Sequence, residues 1–322
     1  MKALLIGDVH LADRPPSVRR DTYAEDILDK LRWCVQEAVR READVIIQDG
    51  DLFHVKAPVR TSHGLVQRVH EVIMSSHIPW IIVPGNHDMQ HDRLDSLSSQ
   101  PLGALCRMEN VSLLLGPHDF LPIFGLPYLA DWQDGLPKWL TLWRKFADTV
   151  RLERDDWPLL VTHAPIFPPG IEPPYDYIAA DEWAELMEKG TCLYGHIHDY
   201  HGIYQPLTNT PVTMINVGSI SRGSLHENTL ARAPKVVWYD AGKTEILDVP
   251  HKPASEVFML EDHQRVTEET KRMTDFLEGV ESQEFTSISS VEEVRSHVLT
   301  LGLNPATVKV IDDLVEWASN EA

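Results

Sequence analysis

A chain of 322 residues with 43% hydrophobic content is long enough for one large domain, or for a domain with an appendage, and wholesale disorder is excluded. Its 49 acidic residues outnumber 29 basic ones, and the formal charge of -20 opposes any surface that must hold a polyanion unaided. The three cysteines, Cys34, Cys106 and Cys192, are odd in number and lack C-x-x-C spacing, which fits reduced, buried thiols in a cytoplasm better than a disulfide frame.

Only four apolar residues lie between Lys2 and Gly7, too few for a secretory segment or a membrane span, so the first strand is expected to belong to the mature protein. That strand, Ala3 to Ile6, leads into Gly-Asp8-Val-His10. Helical spacing of Ile27, Leu28, Leu31, Val35, Ala38 and Val39 predicts a helix over 22–42. A second apolar run, Val45 to Ile47, precedes Asp-Gly-Asp51-Leu-Phe-His54, and Leu65, Val66, Val69, Val72 and Ile73 predict a helix over 62–76 that Pro79 stops. A third run, Ile81 to Val83, precedes Gly-Asn86-His87-Asp88. Strand and helix alternate here, which predicts an α/β fold with a largely parallel sheet.

From Val111 onward short strands are expected (Val111 to Leu115, Leu121 to Phe124, Val212 to Ile215, Val236 to Tyr239, Thr244 to Val249), with Asp240-Ala-Gly-Lys243 as a hairpin turn. They imply a second, mixed sheet packed on the first. Trp132, Trp139 and Trp143 fit an amphipathic helix that buries them better than an exposed stacking platform. Leu159 to Val161 precedes Thr-His163-Ala-Pro, a Pro-rich surface loop is expected over 168–174, and Gly-His196-Ile-His198 follows. After Pro250 the pattern becomes helical at about 263–279, 290–301 and beyond Asn304-Pro305, and residues 251–322 carry a net charge of -9. The division is therefore a catalytic region over 1–250 and an acidic helical segment over 251–322.

Asp8, His10, Asp51, Asn86, His163, His196 and His198 each follow a run of this kind or close a Gly-bounded motif, so they are expected to gather along one rim of a sheet. Oxygen ligands mixed with imidazoles, without thiolate, suit Mn²⁺, Fe or Zn²⁺. So many ligands suit a pair of ions sharing one bridging carboxylate, which activates water and stabilises both oxygens of an in-line phosphoryl displacement. His87 adjoins Asn86 and cannot easily point at the same ion, so it is expected to serve a leaving or non-bridging phosphate oxygen, with Asp88 fixing its tautomer. Arg222, near Gly218 and Ser219, is expected either to meet a substrate phosphate or to form a surface salt bridge.

These clusters, in this order, resemble the calcineurin-like metallophosphoesterases. Gly50 to His54, Gly-Leu-Pro-Tyr at 125–128 and the loop 216–224 resemble the SbcD-type DNA-repair nuclease branch, and the likeness covers roughly 1–250. The resemblance implies a two-sheet β-sandwich flanked by helices. It places one ion on Asp8, His10, Asp51 and His198, and the other on Asp51, Asn86, His163 and His196, with Asp51 as bridge. It also makes His87 the catalytic histidine and brings His54 to the substrate phosphate. By the same resemblance the expected activity is that of a Mn²⁺-dependent exo- or endonuclease that dimerises, acts on DNA and works with an SbcC-type ATPase. Family members usually carry a substantial cap after the core, whereas only the short acidic segment remains here, and its helical pair at 290–319 is expected to dock either the partner or the core. The competing functions are a phosphodiesterase or pyrophosphatase for small nucleotides, and a scaffold with purely structural metals.

Overall fold

In the computed structural model the described residues are 1–20, 22–54, 61–154, 157–223 and 230–260, with single positions beyond them. The chain divides into two units, Met1–Phe258 and Met259–Ala322. Apart from those single positions, the helices expected at 263–279, at 290–301 and after Pro305 lie outside the described residues.

The first unit is built on two six-stranded sheets. In the first sheet β1 (Lys2–Ile6), β2 (Val45–Gln48), β3 (Trp80–Ile82) and β4 (Val111–Leu113) run parallel. The hairpin β13 (Lys235–Asp240) and β14 (Lys243–Asp248) adds antiparallel to β1. In the second sheet β6 (Ile123–Leu126), β7 (Leu159–Thr162), β10 (Gly190–Tyr194) and β12 (Val212–Asn216) are parallel. Its edges are the antiparallel strands β5 (Gly116–Pro117) and β11 (Gly202–Tyr204). A separate two-stranded pair, β8 (Ile166–Phe167) and β9 (Ile178–Ala179), brackets the exposed loop that contains Pro168 to Pro174.

The alternation along each strand explains the layering, since successive side chains point to opposite faces. Ala3, Leu5, Val45, Ile47, Ile81 and Val83 meet Leu159, Val161, Leu193 and Ile215 between the sheets. Leu4, Ile6, Ile46 and Ile82 face the other way, onto α1 (Tyr23–Arg40), α2 (His63–Ile73) and α3 (Pro101–Leu105). On the outer face of the second sheet, α4 (Trp132–Arg154) and α5 (Ala180–Met187) bury Trp143 and Trp183 against Phe124, Leu160 and Cys192. Because both faces of the central strands are covered, their sequences are nearly continuous apolar runs. The architecture is the two-sheet α/β sandwich expected from the sequence. Trp143 is fully buried, and Trp132 and Trp139 pack partly buried against the same core, so the helix takes the tryptophans as expected.

Candidate metal centre

The parallel strands of both sheets end on one rim, and that rim carries the site. Asp8 and His10 follow β1, Asp51 follows β2, Asn86 and His87 follow β3, His163 follows β7, and His196 and His198 follow β10. The loops after β1 and β2 are zipped together by His10 N donating to Asp51 O at 2.8 Å, Leu11 N to Leu52 O at 2.9 Å and His54 N to Leu11 O at 2.9 Å. Three of the candidate ligands, His10, Asp51 and His196, have positive φ (51°, 53° and 75°). Non-glycine residues rarely adopt this conformation, and such backbone strain concentrates at functional sites.

All seven candidate ligands converge. Asp8, His10 and His198 place ligand atoms within 4.8 Å of one another. His10 Nε2 lies 3.8 Å from Asp8 Oδ1 and 3.7 Å from Asp51 Oδ2. On the other side of Asp51, His163 Nε2 lies 3.1 Å from its Oδ2 and 3.2 Å from Asn86 Oδ1, and His196 Nδ1 lies 3.1 Å from the same Asn86 oxygen. Two groups bound at about 2.1 Å to one ion stand roughly 3 to 4 Å apart, so these separations are coordination spacings, with Asp51 Oδ2 between His10 and His163. Gly50 allows the approach: at φ 121° it lies so close to His163 that a Cβ would sit 2.3 Å from Nδ1.

Hydrogen bonding and charge fit the same purpose. The carbonyl of Asp49 can only accept, so His163 Nδ1 donates to it at 3.0 Å and leaves Nε2 facing the carboxylates. Burial pushes His196 down to about 3 and His10 well below its ordinary value, which keeps both imidazoles neutral, the form that binds a cation. Burial would likewise lower His163, but Asp51, Asp8 and Asp49 outweigh it and raise it to about 10. Among the described residues the ion-pair partners of Asp8 and Asp51 are histidines, and Asp8 Oδ2 and His10 Nε2 are buried without hydrogen-bond partners. A set of buried carboxylates and inward-facing imidazoles with orphaned atoms is what a pair of dications would satisfy.

His54 and His87 stand beside this set without being part of either ligand group. Their rings stack 5.7 Å apart at 7°, each also edge-on to His10, and the three form one cluster. The backbone N–H of His87 donates to Asp51 Oδ1 at 2.7 Å.

Two residues take other positions than expected. Asp88 does not reach the His87 ring. Its buried carboxylate accepts from Gly85 N at 3.0 Å and Phe53 N at 3.3 Å, clamping the loops after β2 and β3. Arg222 is 3% exposed and donates to the carbonyls of Lys252 at 2.8 Å and Leu230 at 3.1 Å, with its guanidinium over Phe258. Its backbone φ is 53°, and the side chain lies in the interior rather than on the surface.

Two further residues were not singled out from the sequence. Arg232 donates to His198 O at 2.8 Å and Ser219 O at 2.9 Å, tying the last ligand loop to the loop after β12. Asp49 is fully buried and, with Asp8 and His163, completes another group with ligand spacing. No sequence signal marks Arg232, whereas Asp49 was legible as an acid two residues before the expected bridge.

Comparison with known proteins agrees with this geometry. Residues 1–200 match the family model of calcineurin-like phosphoesterases. The DNA double-strand break repair protein Mre11 of Saccharolobus solfataricus is 27% identical over 135 residues, which make up 40% of this chain and 34% of that protein. The Mre11 protein of Archaeoglobus fulgidus is 29% identical over 167 residues, covering 46% and 37%. The matches thus span little more than a third of these relatives' length. Among solved structures, a dimetal phosphatase from Danio rerio superimposes with a TM-score of 0.52 at 15% identity, over 79% of this chain and 97% of that one, a likeness of fold. With the family model matched over well more than half its length, this chain belongs to the calcineurin-like phosphoesterases.

Proposed function

We propose that this phosphoester hydrolase is a Mn²⁺-dependent DNA nuclease subunit, homodimeric and working with an SbcC-type ATPase in DNA repair or recombination. The observation that carries the proposal is the stacked pair of His54 and His87 beside His10, two imidazoles at the mouth of the ligand cluster. The partial likeness to two DNA double-strand break repair proteins supports the choice of DNA as substrate.

Bound to the two ligand sets, a pair of dications would polarise the phosphoryl oxygens and supply activated water at neutral pH. Asp8, His10, Asp51 and His198 would hold one ion, and Asp51, Asn86, His163 and His196 the other. The chain's own part is to place acid and phosphate. His87, fixed through its backbone by Asp51, is half-buried and positioned to give a proton to the departing oxygen. His54, parallel to it, orients the phosphate with its ring N–H.

The second reading, hydrolysis of small nucleotide diesters or pyrophosphates, is favoured by the net charge of -20. The two separate on substrates. Linear duplex DNA and bis-p-nitrophenyl phosphate, each with Mn²⁺ and then Mg²⁺, should both be cleaved with Mn²⁺. Cleavage of the small diester with DNA left intact would select the second reading. Cleavage of neither would leave only a structural role for the ions.

A further inference from the structure

Asp49 closes the end of β2 two residues before the shared carboxylate Asp51, and its side chain is fully buried. Neither Oδ1 nor Oδ2 has a hydrogen-bond partner, and among the described residues no lysine or arginine pairs with it. A carboxylate in that condition is among the costliest groups a fold can retain, and it is ordinarily satisfied by a cation. The group nearest to it is the metal centre. Asp49, Asp8 and His163 offer ligand atoms within 4.8 Å of one another, all buried. The backbone beside it is shaped to admit it: a Cβ at Gly195 would lie 2.9 Å from Asp49 Oδ1 and 2.8 Å from His163 Nδ1. The loop carrying His196 therefore rests on the Asp49 carboxylate and the His163 ring together.

We propose that Asp49 is a further residue of the metal centre, a carboxylate that supplies negative charge to the two ions from their buried side, beside Asp8 and His163. The need for it follows from charge balance. The seven expected ligands include only two carboxylates, Asp8 and Asp51, so two dications would keep an excess of positive charge in a water-poor interior. Asp49 reduces that excess from the side that substrate does not reach. His198, by contrast, is exposed and His87 half-buried on the open side. The inference rests on the two-ion reading of the site.

The test is Mn²⁺ binding to the full chain by titration calorimetry, with thermal unfolding in EDTA and in Mn²⁺. Asp49→Asn keeps the shape and removes the charge. It should weaken at least one of the two ions about 10- to 100-fold. Its unfolding temperature in EDTA should stay close to that of the wild type, because the amide has the carboxyl's shape and no ion is bound, while the rise produced by Mn²⁺ shrinks. Asp49→Ser should behave in the same direction. Wild-type affinity in Asp49→Asn, or an equal loss of unfolding temperature with and without Mn²⁺, would overturn the proposal. So would failure of both variants to fold, since Asp49 would then serve the fold rather than the ions. Two ions in the wild type with unchanged binding in the variant would sink the role of Asp49 alone, whereas no uptake by the wild type would sink the two-ion reading with it.

Discussion

His87 differs from its neighbours in being held by its backbone while its ring belongs to neither ligand set. Its N–H donates to Asp51 at 2.7 Å, and the ring stacks on His54. His87→Gln should therefore keep both ions and the fold while lowering turnover by roughly 10² to 10⁴, the span of a lost general acid. Metal analysis beside kinetics checks this, and loss of an ion in that variant would remove the acid role. Gly50 makes a different demand. With φ at 121° and His163 Nδ1 2.3 Å from a would-be Cβ, Gly50→Ala should cost about 1 to 3 kcal/mol in backbone strain and displace His163. Urea unfolding in EDTA would show the first effect and weakened Mn²⁺ uptake the second. The candidate ligands were legible because each adjoins glycine or follows an apolar run in a short motif. The positions of Asp88 and Arg222 were not, because spacing cannot say which way a loop turns. Asp88 is drawn to backbone N–H groups of Gly85 and Phe53, and Arg222 to distant carbonyls that only the fold brings near.

At the scale of elements, α1 reaches the site through Tyr23, whose hydroxyl donates to His10 O at 2.7 Å, and through a buried lysine. Lys30 Nζ donates to Ile220 O at 2.5 Å, and Ile220 N in turn donates to Asp8 O at 2.9 Å. Burial lowers Lys30 from 10.5 to about 7, with Arg19 and Arg222 adding like charge and Asp26 opposing them. Between those values the folded lysine is neutral while the unfolded one is charged, so the unfolded chain binds more protons and stability rises with pH across that window. Lys30→Met should flatten this rise. Urea midpoints measured across the window check it, and an unchanged slope would show that Lys30 is not the titrating group. Elements were legible in proportion to their burial pattern. Strands β1, β2, β3 and β7 are dense in Ile, Leu and Val because both faces are covered. Strand β10, Gly-Thr-Cys-Leu-Tyr, was not read as a strand because it has few aliphatic residues, although it delivers His196 and His198. Helix α5 and the two-residue strands β5, β8 and β9 were likewise too short to show a period.

At the scale of the whole fold, two mixed sheets packed face to face send the ends of five of their parallel strands to one rim, and the candidate ligands come from the residues just beyond those ends. The α/β class and the second sheet could be anticipated because helix and strand periods alternate early and short strands follow. The order of strands could not, since β13 pairs with β1 across more than two hundred residues and no local pattern encodes that contact. Under the proposed assignment, with Asp51 in each ligand set, two bound ions would depend on one another. Asp51→Ala should accordingly lose both ions, whereas His198→Ala should spare the set of Asn86, His163 and His196. No described helix is long and apolar enough to cross a membrane. The decisive assay uses the purified chain. That assay is the number of Mn²⁺ ions bound per chain at saturation. Two ions in the wild type, with both lost in Asp51→Ala, are expected from a shared bridging carboxylate; one ion or none in the wild type would contradict the two-metal centre.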